Sequence, residues 1–230
     1  MIILALDALD QNLVKAFHCK NLMQKEYGET DITVFDQPRT VVLWASFLTG
    51  QNMETKIPVE GQWSFQLEEE MTFLRFFDSH HTIDLPALSY KQDNHREERK
   101  LMKDFFDDQA TVEEYDQLVW EHHQENKEEF LSHLRKHQLL IGYFNLADAI
   151  GHLSFGVYTK MRKVYQELDQ LAQKLEKLDD FTLVISDHGM KAIGRFGDHT
   201  KHGYYSANTE LNLNQPNITD FHPIIREVQK

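Results

Sequence analysis

Short apolar runs alternate with helix-period patterns at both ends of the chain, and a denser, charge-rich stretch separates them. Residues 2–6 are continuously apolar, which predicts a strand buried on both faces. Over residues 12–27, Leu13, Val14, Phe17, Leu22 and Met23 recur at spacings compatible with one amphipathic helix. Residues 32–35 read as a second short strand. Pro38 interrupts the chain, and 41–48 then reads as a helix stopping at Gly50, a residue suited to the left-handed turn of a helix end. The pattern resumes with a strand over 139–144, a helix over 157–178 and a strand over 181–186. A further strand over 203–207 and a closing helix over 218–228 complete it.

In the middle, 51–138, glycine is rare and charge is dense. Within it, 111–137 carries a broken helical stripe that includes Tyr115, Val119, Phe130 and Leu134. The expected fold class is therefore α/β: a central, mostly parallel sheet flanked by helices, with a largely helical insertion in the middle. With no internal repeat or low-complexity linker, the economical reading is one domain over 1–230, with 51–138 as an insertion or small cap. The charge run 94–100 is expected on a solvated surface, as are the pairs His80–His81 and His122–His123. Trp44 and Trp120 are expected to pack, and Trp63 to be partly exposed.

Composition narrows the function classes. At 230 residues the chain can bury a sizeable core, and 41% hydrophobic with 27% charged residues is a globular mix. A net charge of −13 excludes broad, sequence-independent nucleic-acid binding, which needs a basic footprint. It leaves open a small phosphate-bearing substrate, because bound cations reverse the local field of an acidic site. The lone cysteine, Cys19, allows no intramolecular disulfide and reads as a small buried apolar residue. The apolar N-terminus has no basic leader, and no apolar run reaches the roughly 20 residues of a membrane span. The expectation is a cytoplasmic protein with no membrane contact; oligomeric state has no signature.

Candidate chemistry gathers where the strands end. Asp7 follows the first strand, and Asp148, with His152 four residues on, follows the strand 139–144. Asp187 and His188 follow the strand ending at Ser186, and His199 stands in a Gly-Asp-His-Thr-Lys-His-Gly segment. In open α/β sheets ligands bind at the carboxyl ends of strands, so these residues can converge. Each alone reads more simply as a cap or turn residue; their joint placement points to metal binding. Mixed carboxylate and imidazole donors suit zinc and related cations. Thr40 opens the helix before Gly50, where free amides and the positive dipole end suit a phosphoryl oxygen. On spacing alone Thr40 reads first as a helix cap, and Ser46, Thr49 and His202 compete with it.

These pieces resemble the alkaline phosphatase superfamily, and within it the type I phosphodiesterase and nucleotide pyrophosphatase branch. The resemblance rests on Leu-Ala-Leu-Asp7, on Thr40 to Gly50 with its Trp-Ala-Ser-Phe-Leu-Thr-Gly ending, and on Asp148-Ala-Ile-Gly-His152. Ser-Asp187-His188-Gly-Met and His199-Thr-Lys-His-Gly complete it. The pieces span most of the chain in the family's order. The resemblance implies one divalent cation held by Asp7, Asp187 and His188 and shared with the Thr40 oxygen. It implies a second held by Asp148, His152 and His199, with zinc the first expectation and manganese the next. Thr40, ten residues before the Gly of the Thr-Gly pair, takes the nucleophile's place, and the spacing His199 to Gly203 selects His199 over His202. Val42 stands where relatives have Pro, and Asn52 is the nearest candidate for a phosphate-binding Asn.

The implied activity is hydrolysis of phosphodiester or pyrophosphate bonds in a small, nucleotide-like phosphoester through a phospho-threonine. A phosphomonoesterase or phosphomutase with the same constellation is the alternative, and a noncatalytic metal-binding relative the second. Mutases of this superfamily carry a dedicated substrate domain for which this chain has little room. A sulfatase is disfavoured because neither Cys nor Ser occupies the nucleophile position.

Overall fold

The computed structural model describes residues 1–176, 178 and 180–229. Three strands lie side by side at the centre of a six-stranded sheet: β4 (Leu139–Phe144), β1 (Ile2–Leu6) and β5 (Thr182–Ser186). Beyond β4 lies the edge strand β3 (His80–Ile83); beyond β5 lie β8 (His202–Ala207) and the other edge, β2 (Glu26–Asp31). The pairs β3–β4, β4–β1 and β1–β5 are parallel, whereas β8 is antiparallel to both β5 and β2. Five strands thus share one direction, and only β8 opposes it. The mostly parallel α/β sheet expected from the pattern is present. The register sets Leu6 opposite Phe144 and Ala5 opposite Ile185, so the chain leaves all three central strands at one level.

Helices cover both faces, which is why the central strands are apolar without interruption. Ile3 and Ala5 of β1 face a core shared with α2 (Thr40–Thr49) and α7 (Phe221–Val228). Ile2, Leu4 and Leu6 face the opposite core, shared with α4 (Val112–His133), α5 (Leu146–Ser154) and α6 (Tyr158–Gln173). All ten residues of α2 are buried, and its end at Gly50 is left-handed with φ of 67°, as the stop signal predicts. Cys19 is buried as expected, and burial pushes its thiol up to about 12, which leaves it inert. No described helix is long and apolar enough to cross a membrane.

Several expectations need correction. The helix expected over 12–27 is only α1 (Gln11–Ala16); the chain turns at His18, where φ is 57°, and β2 takes up 26–31. β2 is a polar edge strand held by its ladder to β8, so its sequence carries no strand pattern. Residues 32–35 bury Ile32 and Phe35 but form a turn, because the Asp31 carboxylate accepts the Thr33 N–H at 2.8 Å. The middle stretch holds α3 (Gln92–Phe106) and α4, which opens on a reciprocal Thr111–Glu114 capping box. It also adds β3 to the sheet, and Phe73 and Leu74 to the core. His122 and His123 are buried rather than surface residues, and the charge run 94–100 buries His95 and Glu98 on the inner side of α3. Trp44 packs fully, whereas Trp120 and Trp63 are half-buried. The helix expected over 157–178 is α6 up to Gln173, and of the residues expected beyond it Lys177 lies outside the described residues.

Candidate metal centre

The exits of the central strands build the site. β1 runs into Asp7 and turns at Ala8, a left-handed residue with φ of 56°. β4 runs into Asn145, which begins α5; Asp148 lies in the first turn of that helix and His152 in its last. β5 ends at Ser186, whose hydroxyl accepts the Leu9 N–H at 2.8 Å and donates to the His188 carbonyl at 2.7 Å. That one side chain ties the exit of β1 to the exit of β5 and turns Asp187 and His188 inward. Both are completely buried. The excursion from β5 to β8 forms a two-stranded hairpin, β6 (Met190–Ile193) with β7 (Phe196–His199), which the sequence pattern does not announce.

The hairpin is fastened along α5. Gly156 donates its N–H to the Arg195 carbonyl at 2.9 Å, and the Arg195 Nε donates to the Leu153 carbonyl at 3.1 Å. At Gly197 the backbones approach so closely that a Cβ would stand 2.8 Å from the Gly151 carbonyl oxygen. His199 is thereby set against Asp148 and His152.

Two groups of donor atoms result. In the first, His188 Nε2 lies 3.3 Å from Asp7 Oδ1 and 3.5 Å from Asp187 Oδ2, and all three donor atoms are mutually within 4.8 Å. None of these three buried atoms has a hydrogen-bond partner among the described residues. Their neighbours on the same side chains are engaged: Tyr143 donates its hydroxyl to Asp7 Oδ2, and His188 Nδ1 donates to the Gly189 carbonyl at 3.2 Å. The imidazole thus turns the lone pair of Nε2 toward two carboxylate oxygens, the arrangement of a metal ligand fixed by its outer hydrogen bond. In the second group, His199 Nε2 lies 3.1 Å from Asp148 Oδ1 and 3.3 Å from His152 Nε2, which is 3.3 Å from Asp148 Oδ2. His199 Nδ1 donates to the Pro38 carbonyl at 3.2 Å. The His188 and His199 rings stack at 3.8 Å and join the two groups.

The electrostatics point the same way. Burial, reinforced by the Asp187 charge, holds Asp7 well above the ordinary carboxylate range, and burial lifts Asp187 to about 7. Burial pushes His188 down to about 4, leaving a neutral imidazole. Burial also opposes the charge on Asp148, but His152 and His199 outweigh it and hold that carboxyl well below its usual range. Among the described residues no Lys or Arg pairs with Asp7, Asp148 or Asp187. Orphaned, neutral-imidazole and carboxylate donors in a buried cluster fit a divalent cation, whereas each unpaired polar group otherwise costs about 1–3 kcal/mol.

Thr40 is the first residue of α2 and is buried. It is not the cap: Arg39 holds that position without a side-chain bond, and the first hydrogen bond entering the helix runs from the Leu43 N–H to the Arg39 carbonyl at 3.0 Å. The amides of Thr40, Val41 and Val42 precede that bond. Thr40, Trp63 and His152 line two cavities at once. One, about 120 Å³, is walled by Tyr90, Arg99, Tyr143 and Asn145. The other is an open groove of about 830 Å³ edged by Arg39, Lys191, Lys201 and His202. The rivals of Thr40 are otherwise occupied: Ser46 donates to the Val42 carbonyl and accepts the Met53 N–H, and Thr49 donates to the Ala45 carbonyl. His202 is exposed at the groove, and Asn52 accepts the Glu54 N–H in a turn and lines neither cavity.

The sequence reading missed Tyr143, Asn145 and the residues of α3 that face the narrow cavity. Asn145 has a local signal, a helix-starting residue directly before the Asp148 helix. His95 and Glu98 have none. They belong to a buried network in which His95 Nε2 meets Asp84 Oδ2 at 2.9 Å and His95 Nδ1 meets Glu98 Oε2 at 3.2 Å. Glu98 accepts in turn from His122 at 2.8 Å and from the Asn145 amide at 2.8 Å.

No curated protein matches the chain. Among solved structures, the phosphonoacetate hydrolase from Sinorhizobium meliloti 1021, crystallised with phosphonoacetate, is similar at 15% identity and a TM-score of 0.49. The similarity covers 83% of this chain and 56% of that one, so the chain spans little more than half the length of that enzyme. The family model for type I phosphodiesterase / nucleotide pyrophosphatase matches residues 78–204, more than half of the chain. The matched segment contains Asp148, His152, Asp187, His188 and His199; Asp7 and Thr40 stand before it. By that match the chain belongs to the type I phosphodiesterase / nucleotide pyrophosphatase family.

Proposed function

We propose that the chain is a two-metal phosphohydrolase that cleaves phosphodiester or pyrophosphate bonds of nucleotide-like substrates through a phospho-threonine on Thr40. Asp7, Asp187 and His188 hold one divalent cation and Asp148, His152 and His199 the other; zinc suits this donor set first and manganese next. Bound there, such cations neutralise phosphoryl charge and lower the pKa of a neighbouring hydroxyl. The protein's own part is position. The amides that open α2 face a phosphoryl group held at Thr40. The Thr40 oxygen attacks phosphorus in line, the bond to the leaving oxygen breaks, and that oxygen takes up a proton. Water then attacks the phospho-threonine, releasing phosphate or its ester and restoring the hydroxyl.

The observation that carries this reading is that two cavities meet at Thr40 and His152. A phosphorus with substituents on two sides has a place for each, one in the aromatic cavity and one in the basic groove. The stretch 51–138 supplies Trp63, Tyr90 and Arg99 to that cavity, so in a single domain over 1–230 it acts as a substrate wall.

The test is Thr40→Ala assayed on a nitrophenyl diester, with nitrophenyl phosphate and a sulfate ester in parallel. Turnover of the diester falls by at least ~10³-fold while the metal content of the catalytic cluster is retained. Undiminished turnover removes Thr40 from the mechanism, and faster wild-type turnover of the monoester moves the activity to a phosphomonoesterase.

A further inference from the structure

A second histidine cluster lies away from the catalytic pole. His81 is the second residue of β3, His133 the last of α4, and His137 sits in the turn before β4. His81 pairs with Leu140, four residues before the end of β4, which puts the cluster roughly 13 Å down the sheet from the strand exits at ~3.3 Å per residue. One donor nitrogen from each ring lies within 4.8 Å of the others. The His81 and His133 rings stack at 3.9 Å and 11°, much as His188 and His199 do.

The simplest account is three ordinary half-buried imidazoles, with one hydrogen shared between His133 Nδ1 and His137 Nε2, which are 3.0 Å apart. It leaves too much unused. His81 Nε2 is buried and has no hydrogen-bond partner among the described residues. The outer nitrogen of His137, Nδ1, meets the Ser79 hydroxyl at 3.2 Å, which turns Nε2 inward as outer-shell partners of metal ligands do. A carboxylate is also at hand. Glu129 Oε1 lies 3.6 Å from His81 Nε2, while its other oxygen is held by Lys91 at 2.8 Å.

We propose that His81, His133 and His137, with Glu129 as the carboxylate beside them, form a further divalent-cation site that takes zinc or another imidazole-preferring ion. Three imidazoles with a carboxylate beside them are donors of the kind that hold zinc, and their distance from the strand exits suits a structural role. The ion joins the edge strand β3, the C-terminal end of α4 and the entry to β4, closing a corner of the sheet where the ladder has no further strand among the described residues.

The test counts ions. Full-length protein saturated with zinc and desalted holds three zinc ions per chain by elemental analysis. His133→Gln/His137→Gln lowers the count by one and leaves turnover of a diester unchanged. Asp7→Asn/Asp148→Asn abolishes turnover and leaves one ion, whose cobalt-substituted form keeps the visible spectrum of a tetrahedral site. Should the double Gln variant fail to fold, His81→Asn carries the same expectation. Equal zinc content in wild type and the histidine variants, or zinc lost from the His cluster on desalting, overturns the proposal. Loss of the two catalytic ions without effect on this one bears on the catalytic reading alone.

Discussion

Tyr143 shows how one side chain aims a candidate ligand it does not replace. Its hydroxyl occupies one oxygen of Asp7 and leaves the other facing His188. Tyr143→Phe keeps the ring against Trp44, at 5.8 Å, so the fold persists. Zinc affinity measured by chelator competition is expected to fall 10–100-fold, and unchanged affinity would remove Tyr143 from the site's support. His95 and Glu98 set a pH dependence. Burial opposes both charges, but Asp84 and Glu98 hold His95 up at about 9, against 6.5 unperturbed. His122 and His95 likewise hold Glu98 down at about 2, against 4.5, despite burial. The stability from His95 is complete below pH 6.5 and is lost as pH rises through about 9; that from Glu98 is complete above 4.5 and is lost as pH falls toward 2. The melting temperature is therefore expected to decline between pH 6.5 and 9, and His95→Gln to flatten that decline. Asp7, Asp148 and Asp187 were legible in the sequence because each follows closely on an apolar strand. His95 and Glu98 were not, because partners from α4, α5 and Asp84 bury them, and a charge run carries no trace of partners so distant in sequence.

Among the elements, α2 is legible and buried along its whole length. Its buried length carries Thr40 at one end, and Gly50 closes the other with its backbone in the left-handed region. Gly50→Ala places a Cβ 2.8 Å from the His222 ring in a conformation that costs an L-residue about 1–2 kcal/mol. Its melting temperature is expected to drop by ~4 °C or more, measured calorimetrically. A wild-type melting curve would show that α7, which bears His222, gives way without strain. The central strands were readable because both of their faces are covered, whereas β2 and β3 were not. Edge strands bury little and owe their form to main-chain pairing, so Glu-Tyr-Gly-Glu-Thr-Asp and His-His-Thr-Ile look like loops until β8 and β4 stand beside them. The β6–β7 hairpin escaped for the same reason, since only its first residue, Met190, is buried.

For the molecule as a whole, the shared strand direction brings Asp7, Asp148, His152, Asp187 and His188 to one pole of the sheet, and with them three carboxylates that no Lys or Arg neutralises among the described residues. Ions that bind only the folded chain stabilise it by mass action, by about 2.7 kcal/mol at a hundredfold excess over the dissociation constant. Chelation is expected to lower the melting temperature by ~5 °C or more, with recovery on adding zinc; a chelator-insensitive melt would contradict bound cations. The fastening of the hairpin to α5 bears on how fast such ions arrive. Asp148, His152 and His199 come from two segments locked together by the Gly156 and Arg195 contacts, so their relative positions were settled when the chain folded. Capture of an ion at that triad has no loop to close and little conformational search to complete. On the proposed reading, an entering ion displaces its own water and the proton shared between His152 and His199, so its uptake is expected to quicken with rising pH.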